Sequence, residues 1–171
     1  METREPNQKK LSLLPYNLPA EIYRSPMPFS RMFDPQGEVF SAYQKAGAGC
    51  VVMLVSDEEA IQHSGYDLRC LYENAGMQVI TCAVEDFSTP TQGAFDDALK
   101  LVIENAGCGI KTVIHCHAGV GRTGMFAACL ARLVFGMDVS EAVAWVRKVI
   151  PQAVETPEQQ RFVEDFIVSG D

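Results

Sequence analysis

The chain has 171 residues, 47% of them hydrophobic and 21% charged, which is ordinary globular composition at a length that can bury a real core in one domain. A net charge of −8 argues against a broad nucleic-acid or anionic-membrane surface, which needs a basic stripe, but leaves room for an anion in one locally positive pocket. The six cysteines, at 50, 70, 82, 108, 116 and 129, form no C-x-x-C pair, and several sit in apolar runs, so reduced thiols in a cytoplasmic setting are expected rather than a disulfide framework.

Taken in chain order, residues 1–20 read as an extended, partly mobile arm, and residues 21–171 as a single domain. No signal-type apolar segment opens the chain, and "MFAACLARLVFGM" (125–137) is too short for a membrane span and carries Arg132. No stable membrane insertion is expected, and a monomer is the default state. "EIYRS" (21–25) is a short strand candidate, "EVFSAYQKAGAG" (38–49) a helix ended by glycines, and "CVVMLV" (50–55) a strand buried on both faces. Ser56 then begins S-x-x-E with Glu59, a capping box opening a helical stretch. "YDLRCLYENAG" (66–76) reads as a helix closed by Gly76, and "MQVITCAV" (77–84) as a strand.

Residues 89–107 carry apolar side chains at Phe95, Ala98, Leu99, Val102 and Ile103, the stripe of an amphipathic helix. "KTVIHC" (111–116) is a further strand, and "RTGMFAACLARLVFG" (122–136) a helix apolar nearly all round, hence central. Residues 140–150 and 156–168 are two more helices, the last opened by Thr156 and Pro157. Strands alternating with helices predict an α/β fold: a mostly parallel central sheet of four to five strands with helices on both faces.

The chemistry concentrates in "HCHAGVGRTG" (115–124). A metal site does not fit, because His115 and Cys116 are neighbours whose side chains diverge on a strand end and no second cluster supplies ligands. "GVGRTG" (119–124) is formally G-x-G-x-x-G between a strand and a helix, yet the acidic residue needed about 20 positions on, at a second strand end, falls on Glu141 inside a helical pattern. Neither metal nor cofactor is therefore expected.

A nucleophile reading uses every residue. Cys116 and Arg122 bracket five residues between a strand and a helix N-terminus, where successive backbone N–H groups converge and the helix dipole adds positive charge. Glycines at 119, 121 and 124 permit tight curvature and close approach of an anion, and Arg122 offers a fork for two phosphoryl oxygens. The same environment favours the thiolate of Cys116, so no flanking histidine is needed as base. His117, Ala118, Gly119, Val120, Gly121 and Arg122 then form the phosphate cradle.

The stretch matches H-C-x-x-G-x-x-R-[ST]-G, and the chain resembles the cysteine-based protein tyrosine and dual-specificity phosphatases. That resemblance runs from about residue 50 to 168 and implies a cysteinyl-phosphate mechanism on a phosphoprotein substrate, phosphotyrosine and also phosphoserine or phosphothreonine. It implies a general acid on a loop upstream of the cysteine: Asp86 in "VEDFSTP" (84–90), with Glu85 the runner-up. The pair Glu85-Asp86, in place of the tryptophan-proline-aspartate of the large tyrosine-specific enzymes, points to the compact dual-specificity type. Thr123 corresponds to a hydroxyl that can donate to the sulfur, and also suits a first helical turn. His115 corresponds to the histidine that braces the loop from behind.

His117 either touches substrate or sits in solvent. Gln159 corresponds to a water-positioning glutamine and equally completes a T-x-x-Q capping box with Thr156, with Gln160 a weaker candidate. No stretch matches the phosphotyrosine-recognition loop of the large enzymes, so a shallower site is expected. The alternatives are a phosphatase of phosphoinositides or other small phosphomonoesters, against which His117 and Val120 in place of loop lysines weigh, and a phosphoprotein-binding module without turnover. Chain position allows Cys82 and Cys108 as redox partners for Cys116, but core packing is the preferred reading of both.

Overall fold

A computed structural model describes residues 10–85 and 89–166 of the chain. Five strands form one sheet in the order β1-β2-β5-β3-β4: β1 (Ser12–Leu14), β2 (Ile22–Ser25), β3 (Cys50–Met53), β4 (Gln78–Thr81) and β5 (Thr112–His115). All neighbours pair in parallel except β1 and β2. The mostly parallel α/β sheet is thus as expected, at the upper end of the strand count.

The fifth strand comes from the segment read as an arm. Ser12–Leu14 pair antiparallel with Ile22–Arg24, and the Tyr16 hydroxyl donates to the Ala127 carbonyl at 2.6 Å while its ring lies 4.8 Å from that of Trp145. Three paired residues flanked by Pro15 are too few for an alternation pattern to be read.

Seven helices are described: α1 (Val39–Ala46), α2 (Asp57–Ser64), α3 (Leu68–Asn74), α4 (Gln92–Gly107), α5 (Gly121–Phe135), α6 (Val139–Arg147) and α7 (Pro157–Asp165). They cover both faces. The strand period of two puts Thr112 and His115 on opposite sides of β5. Tyr72 of α3 reaches His115 on one side. On the other, Asn105 of α4 donates to the Gln78 side chain at 2.9 Å, and α5 packs against α4, α6 and α7. Every residue of α5 from Gly121 to Ala131 is buried, as its all-round apolarity predicts. No helix among the described residues is long and apolar enough to cross a membrane.

One local reading needs correction. Ser56 caps α2 by accepting the Glu59 N–H at 3.1 Å, but the Glu59 carboxylate does not return to the cap; it pairs with Arg122. A buried guanidinium outbids a backbone N–H that water can satisfy. Glu141, set aside as a ribose-binding acid because it falls in a helical pattern, is indeed helical: it is the third residue of a complete capping box with Asp138 at the start of α6.

The central strand β5 ends at His115, flanked by the C-terminal ends of β2 and β3. Ligands of open parallel sheets bind in the crevice beyond the strand carboxyl ends. Cys116 begins there.

Candidate active site

Between β5 and α5 the chain turns through residues 116–120, and in each of these residues the carbonyl has a partner. Cys116 O meets His115 Nδ1 at 2.8 Å, and His117 O accepts from Met27 N at 2.9 Å. Ala118 O accepts from Arg24 Nη2 at 3.5 Å, and Gly119 O accepts from Arg24 Nε and Nη2 at 3.0 and 2.6 Å. Val120 O accepts from Gly124 N at 2.7 Å, the first bond of α5. A trans peptide unit points its C=O and the following N–H in opposite directions. Tying down these carbonyls therefore turns the N–H groups of residues 117–121 away from their partners. That of Gly119 donates to Cys116 Sγ at 3.2 Å.

Cys116 is 2% exposed, and its Sγ also accepts from Thr123 Oγ1 at 3.2 Å. Thr123 stands in the first turn of α5, and its hydroxyl faces back to the sulfur. Hydrogen bonds and the N-terminal end of the α5 dipole all favour negative charge at Sγ.

Arg122 is 2% exposed. Its Nη1 and Nη2 hold both Glu59 carboxylate oxygens at 2.9 and 2.8 Å, and Nη1 also donates to Val84 O at 2.8 Å. The guanidinium is thus oriented in its plane before any substrate arrives. Glu59 was legible only as a cap; its role in the site depends on α2 packing over the loop.

His115 is fully buried. Its Nδ1 faces a carbonyl, which can only accept, so Nδ1 carries the proton and Nε2 accepts from the Tyr72 hydroxyl at 2.9 Å. The Tyr72 ring packs in turn against that of Tyr43, with centroids 6.0 Å apart, and the Tyr43 hydroxyl meets Ser25 Oγ at 2.5 Å. Burial, the main cause, lowers the His115 pKa from 6.5 to about 4. Between those values the unfolded chain binds a proton that the folded one excludes, so stability rises with pH in that window and is lost as pH falls through it. Wild type should lose about 3 kcal/mol from this group between neutral pH and about pH 4. A His115→Gln variant lacks that contribution, and urea midpoints at two pH values compare the slopes.

His117 does not sit free in solvent. Its ring stacks on His63 of α2 at 3.8 Å, meets the edge of Phe33 at 4.9 Å, and its Nε2 lies 3.0 Å from Ser30 Oγ. The segment supplying Met27, Ser30 and Phe33 had no role in the sequence reading; it forms one wall of the loop. Gln159 completes the cap and also lies beside the loop. Its Oε1 accepts from Glu155 N at 2.8 Å and from Thr156 N in a complete capping box, while its Nε2 lies 3.3 Å from where a β-carbon on Gly121 would stand. Gln160 is exposed.

Asp86 lies outside the described residues, as do Phe87 and Ser88. Glu85 is exposed. Val84, whose carbonyl Arg122 holds, is the point where the chain enters that segment, at the loop itself. Cys82 is buried, which pushes its thiol up to about 11. Cys108 is exposed just past α4, so core packing does not describe it: its side chain falls on the solvent side of the final turn.

The fold superimposes on the kinase associated phosphatase, crystallised with its catalytic cysteine replaced by serine, with a TM-score of 0.84 over 95% of this chain and 96% of that one at 18% identity, a likeness of fold alone. Tk-PTP in its active form gives a TM-score of 0.74 at 28% identity, covering 91% and 98% of the two chains. In sequence, the chain is 37% identical over 98 residues to the dual specificity protein phosphatase CDC14C of Symphalangus syndactylus, covering 57% of this chain and 20% of that protein. It is 30% identical over 106 residues to protein tyrosine phosphatase domain-containing protein 1 of Mus musculus, covering 61% and 14%. The match therefore spans a fifth or less of these relatives' length. All lie within the cysteine-based tyrosine and dual-specificity phosphatase superfamily, with the compact dual-specificity-like fold. Residues 26–135, which run from the end of β2 to the end of α5 and hold the whole cysteine loop, match the family described as Tc-R-P, "Polymorphic toxin system, DSP-PTPase phosphatase", and the chain belongs to that family.

Proposed function

We propose that this protein is a protein phosphatase that hydrolyses phosphotyrosine, and also phosphoserine or phosphothreonine, through a cysteinyl-phosphate intermediate. The observation that carries this reading is the environment of Cys116 Sγ. It accepts hydrogen bonds from Gly119 N and Thr123 Oγ1 within a loop whose carbonyls are all engaged by other groups. Such a site stabilises a thiolate and, beside it, the equatorial oxygens of a phosphoryl group.

In the first step the Cys116 thiolate attacks phosphorus, the phosphorus–oxygen ester bond breaks, and Asp86 as a carboxylic acid gives its proton to the departing oxygen. In the second, water attacks the cysteinyl-phosphate, Asp86 as carboxylate takes the proton, and the thiolate leaves with Thr123 donating to it. Arg122 and the N–H groups of residues 117–121 bear the phosphoryl charge in both steps. Gln159 has one oxygen committed to the α7 cap and its amide nitrogen beside Gly121, a place from which it can orient the attacking water. His117 is a wall residue of the cradle.

The substrate class rests on chemistry at the rim and on the activities for which the relatives are named. Aromatic rings of Phe33, His63 and His117, rather than lysines, border the loop, which suits an aryl phosphate better than a polyphosphorylated inositol ring. Buried free thiols at Cys50, Cys82 and Cys129 fit a reducing, cytoplasmic setting. The protein as proposed acts on a phosphoprotein without metal or organic cofactor.

Release of phosphate from a phosphotyrosine peptide by wild type, Cys116→Ser and Asp86→Asn tests the reading. Cys116→Ser should be inactive yet still bind the peptide, and Asp86→Asn should slow by about 10²- to 10⁴-fold. Wild type that binds aryl phosphates but turns none over would make the loop a phosphate receptor instead. A parallel panel of phosphothreonine peptides and inositol lipids sets the substrate range.

A further inference from the structure

Arg24, on β2, is 4% exposed and has no carboxylate partner among the described residues. A buried cation without a counter-charge is costly unless the protein supplies one. Its guanidinium is spent on the cysteine loop. Nε and Nη2 donate to Gly119 O at 3.0 and 2.6 Å, and Nη2 also reaches Ala118 O at 3.5 Å. Those carbonyls belong to the two peptide units whose N–H groups are on Gly119 and Val120. Of these, the Gly119 N–H is the one donating to Cys116 Sγ. The contact is close-fitting: a β-carbon on Gly119 would stand 2.9 Å from Arg24 Nη2.

We propose that Arg24 is a positioning residue for phosphoryl transfer at Cys116. It locks the 118–119 and 119–120 peptide planes with their N–H groups toward the sulfur and the phosphate, and it supplies a fixed positive charge balanced by the thiolate. This rests on Cys116 being the nucleophile. It assigns the second arginine a task distinct from that of Arg122, which grips the phosphoryl group from the helix side while Arg24 polarises the cradle from beneath. A carbonyl accepting from a cation makes its peptide N–H a stronger donor. Burial is the main influence on Arg24 itself and lowers its pKa, with the Cys116 charge opposing. The pair is therefore mutually stabilising.

The test uses the full chain as wild type, Arg24→Met and Arg24→Lys. Iodoacetamide alkylation of Cys116 is followed by mass spectrometry across pH, and inorganic phosphate protects against it. Arg24→Met should alkylate about tenfold more slowly at about pH 6, with a smaller gap at about pH 9. About tenfold more phosphate should be needed for half-protection. Arg24→Lys should keep most of the acid-side reactivity, because the charge stays, yet need several-fold more phosphate, because one ammonium cannot hold Gly119 O twice. A purely structural role would shift the urea midpoint and alter alkylation equally at all pH values. An Arg24→Met with the wild-type pH profile and phosphate protection overturns the proposal. If that variant shows no cooperative unfolding, an Arg24→Lys with wild-type phosphate protection overturns it instead. If wild-type Cys116 alkylates no faster at about pH 6 than exposed Cys70 and phosphate does not protect it, the nucleophile reading itself falls and takes the Arg24 assignment with it.

Discussion

Replacing Arg122 with lysine should lower kcat/KM toward an aryl phosphate by about 10³-fold or more. Among the described residues the guanidinium makes three separate commitments at once: two to the Glu59 oxygens and one to Val84 O. A lysine ammonium has no planar fork to satisfy these and a phosphoryl group together. It also leaves Glu59, whose side chain is only 18% exposed, without a bidentate partner. Glu59→Gln keeps a neutral acceptor in place and should cost less, about tenfold, through looser orientation of Arg122. Adding Glu59→Gln to Arg122→Lys should then change little, because both substitutions remove the same orientation. Steady-state kinetics on the four proteins of this cycle reads the result. Arg122→Lys within tenfold of wild type would mean that the phosphoryl group is held elsewhere.

Gly119→Ala should be the most damaging single methyl group in the loop. Gly119 has a φ of +74°, and a β-carbon there would lie 2.2 Å from Ser25 O and 2.6 Å from Ser25 C. Both are backbone atoms of β2, so neither can step aside. The loop would have to lift from the sheet, losing the Arg24 contacts and the N–H aimed at Cys116. We expect a loss of about 2–3 kcal/mol in urea unfolding and about 10²-fold or more in kcat/KM, as displacements of about 1 Å at reacting groups cost. Gly121→Ala is the control. Its β-carbon would meet the Glu155 carboxyl carbon and Oε2 at 3.0 and 3.1 Å and Gln159 Nε2 at 3.3 Å, side-chain ends that can shift by a few tenths of an ångström. Equal damage from the two substitutions would show that crowding in general, rather than the left-handed backbone at Gly119, sets the cost. Gly124 has a third reason to be glycine: a β-carbon there would stand 2.5 Å from that of Ala153, so it is a spacer for the turn before α7.

These distinctions separate what local pattern reveals from what it hides. Three glycines in "GVGRTG" look alike in sequence, and only one of them uses a positive φ. Likewise S-x-x-E at Ser56 predicts two reciprocal bonds, and α2 forms one of them. The missing half is not a failure of helix chemistry; a buried arginine 63 positions later claims the carboxylate. The T-x-x-Q box at Thr156 is complete, because nothing of comparable charge competes for the Gln159 oxygen. Arg24 could have been suspected, since an arginine at the alternate position to Ile22 in a short strand points inward with it. Without knowing that β2 lies beside β5, nothing says what it meets.

The sequence by itself determined the parallel α/β architecture, the central place of α5 and the C-x5-R loop at the end of β5. Each is a consequence of short-range physics: β-branched runs, helical periodicity, and a cysteine and an arginine whose spacing wraps one turn of backbone around an anion. The tertiary structure decided the rest. Which residues reach that loop depends on the strand order that puts Arg24 beside Gly119, on the packing that brings Glu59 of α2 onto Arg122, and on the contacts that close Phe33 and His63 over His117. Those partners lie 54 to 95 positions from the loop residues they touch, and no local propensity carries information across that span. Burial made them strong, because charge and hydrogen bonding count for most where water is excluded.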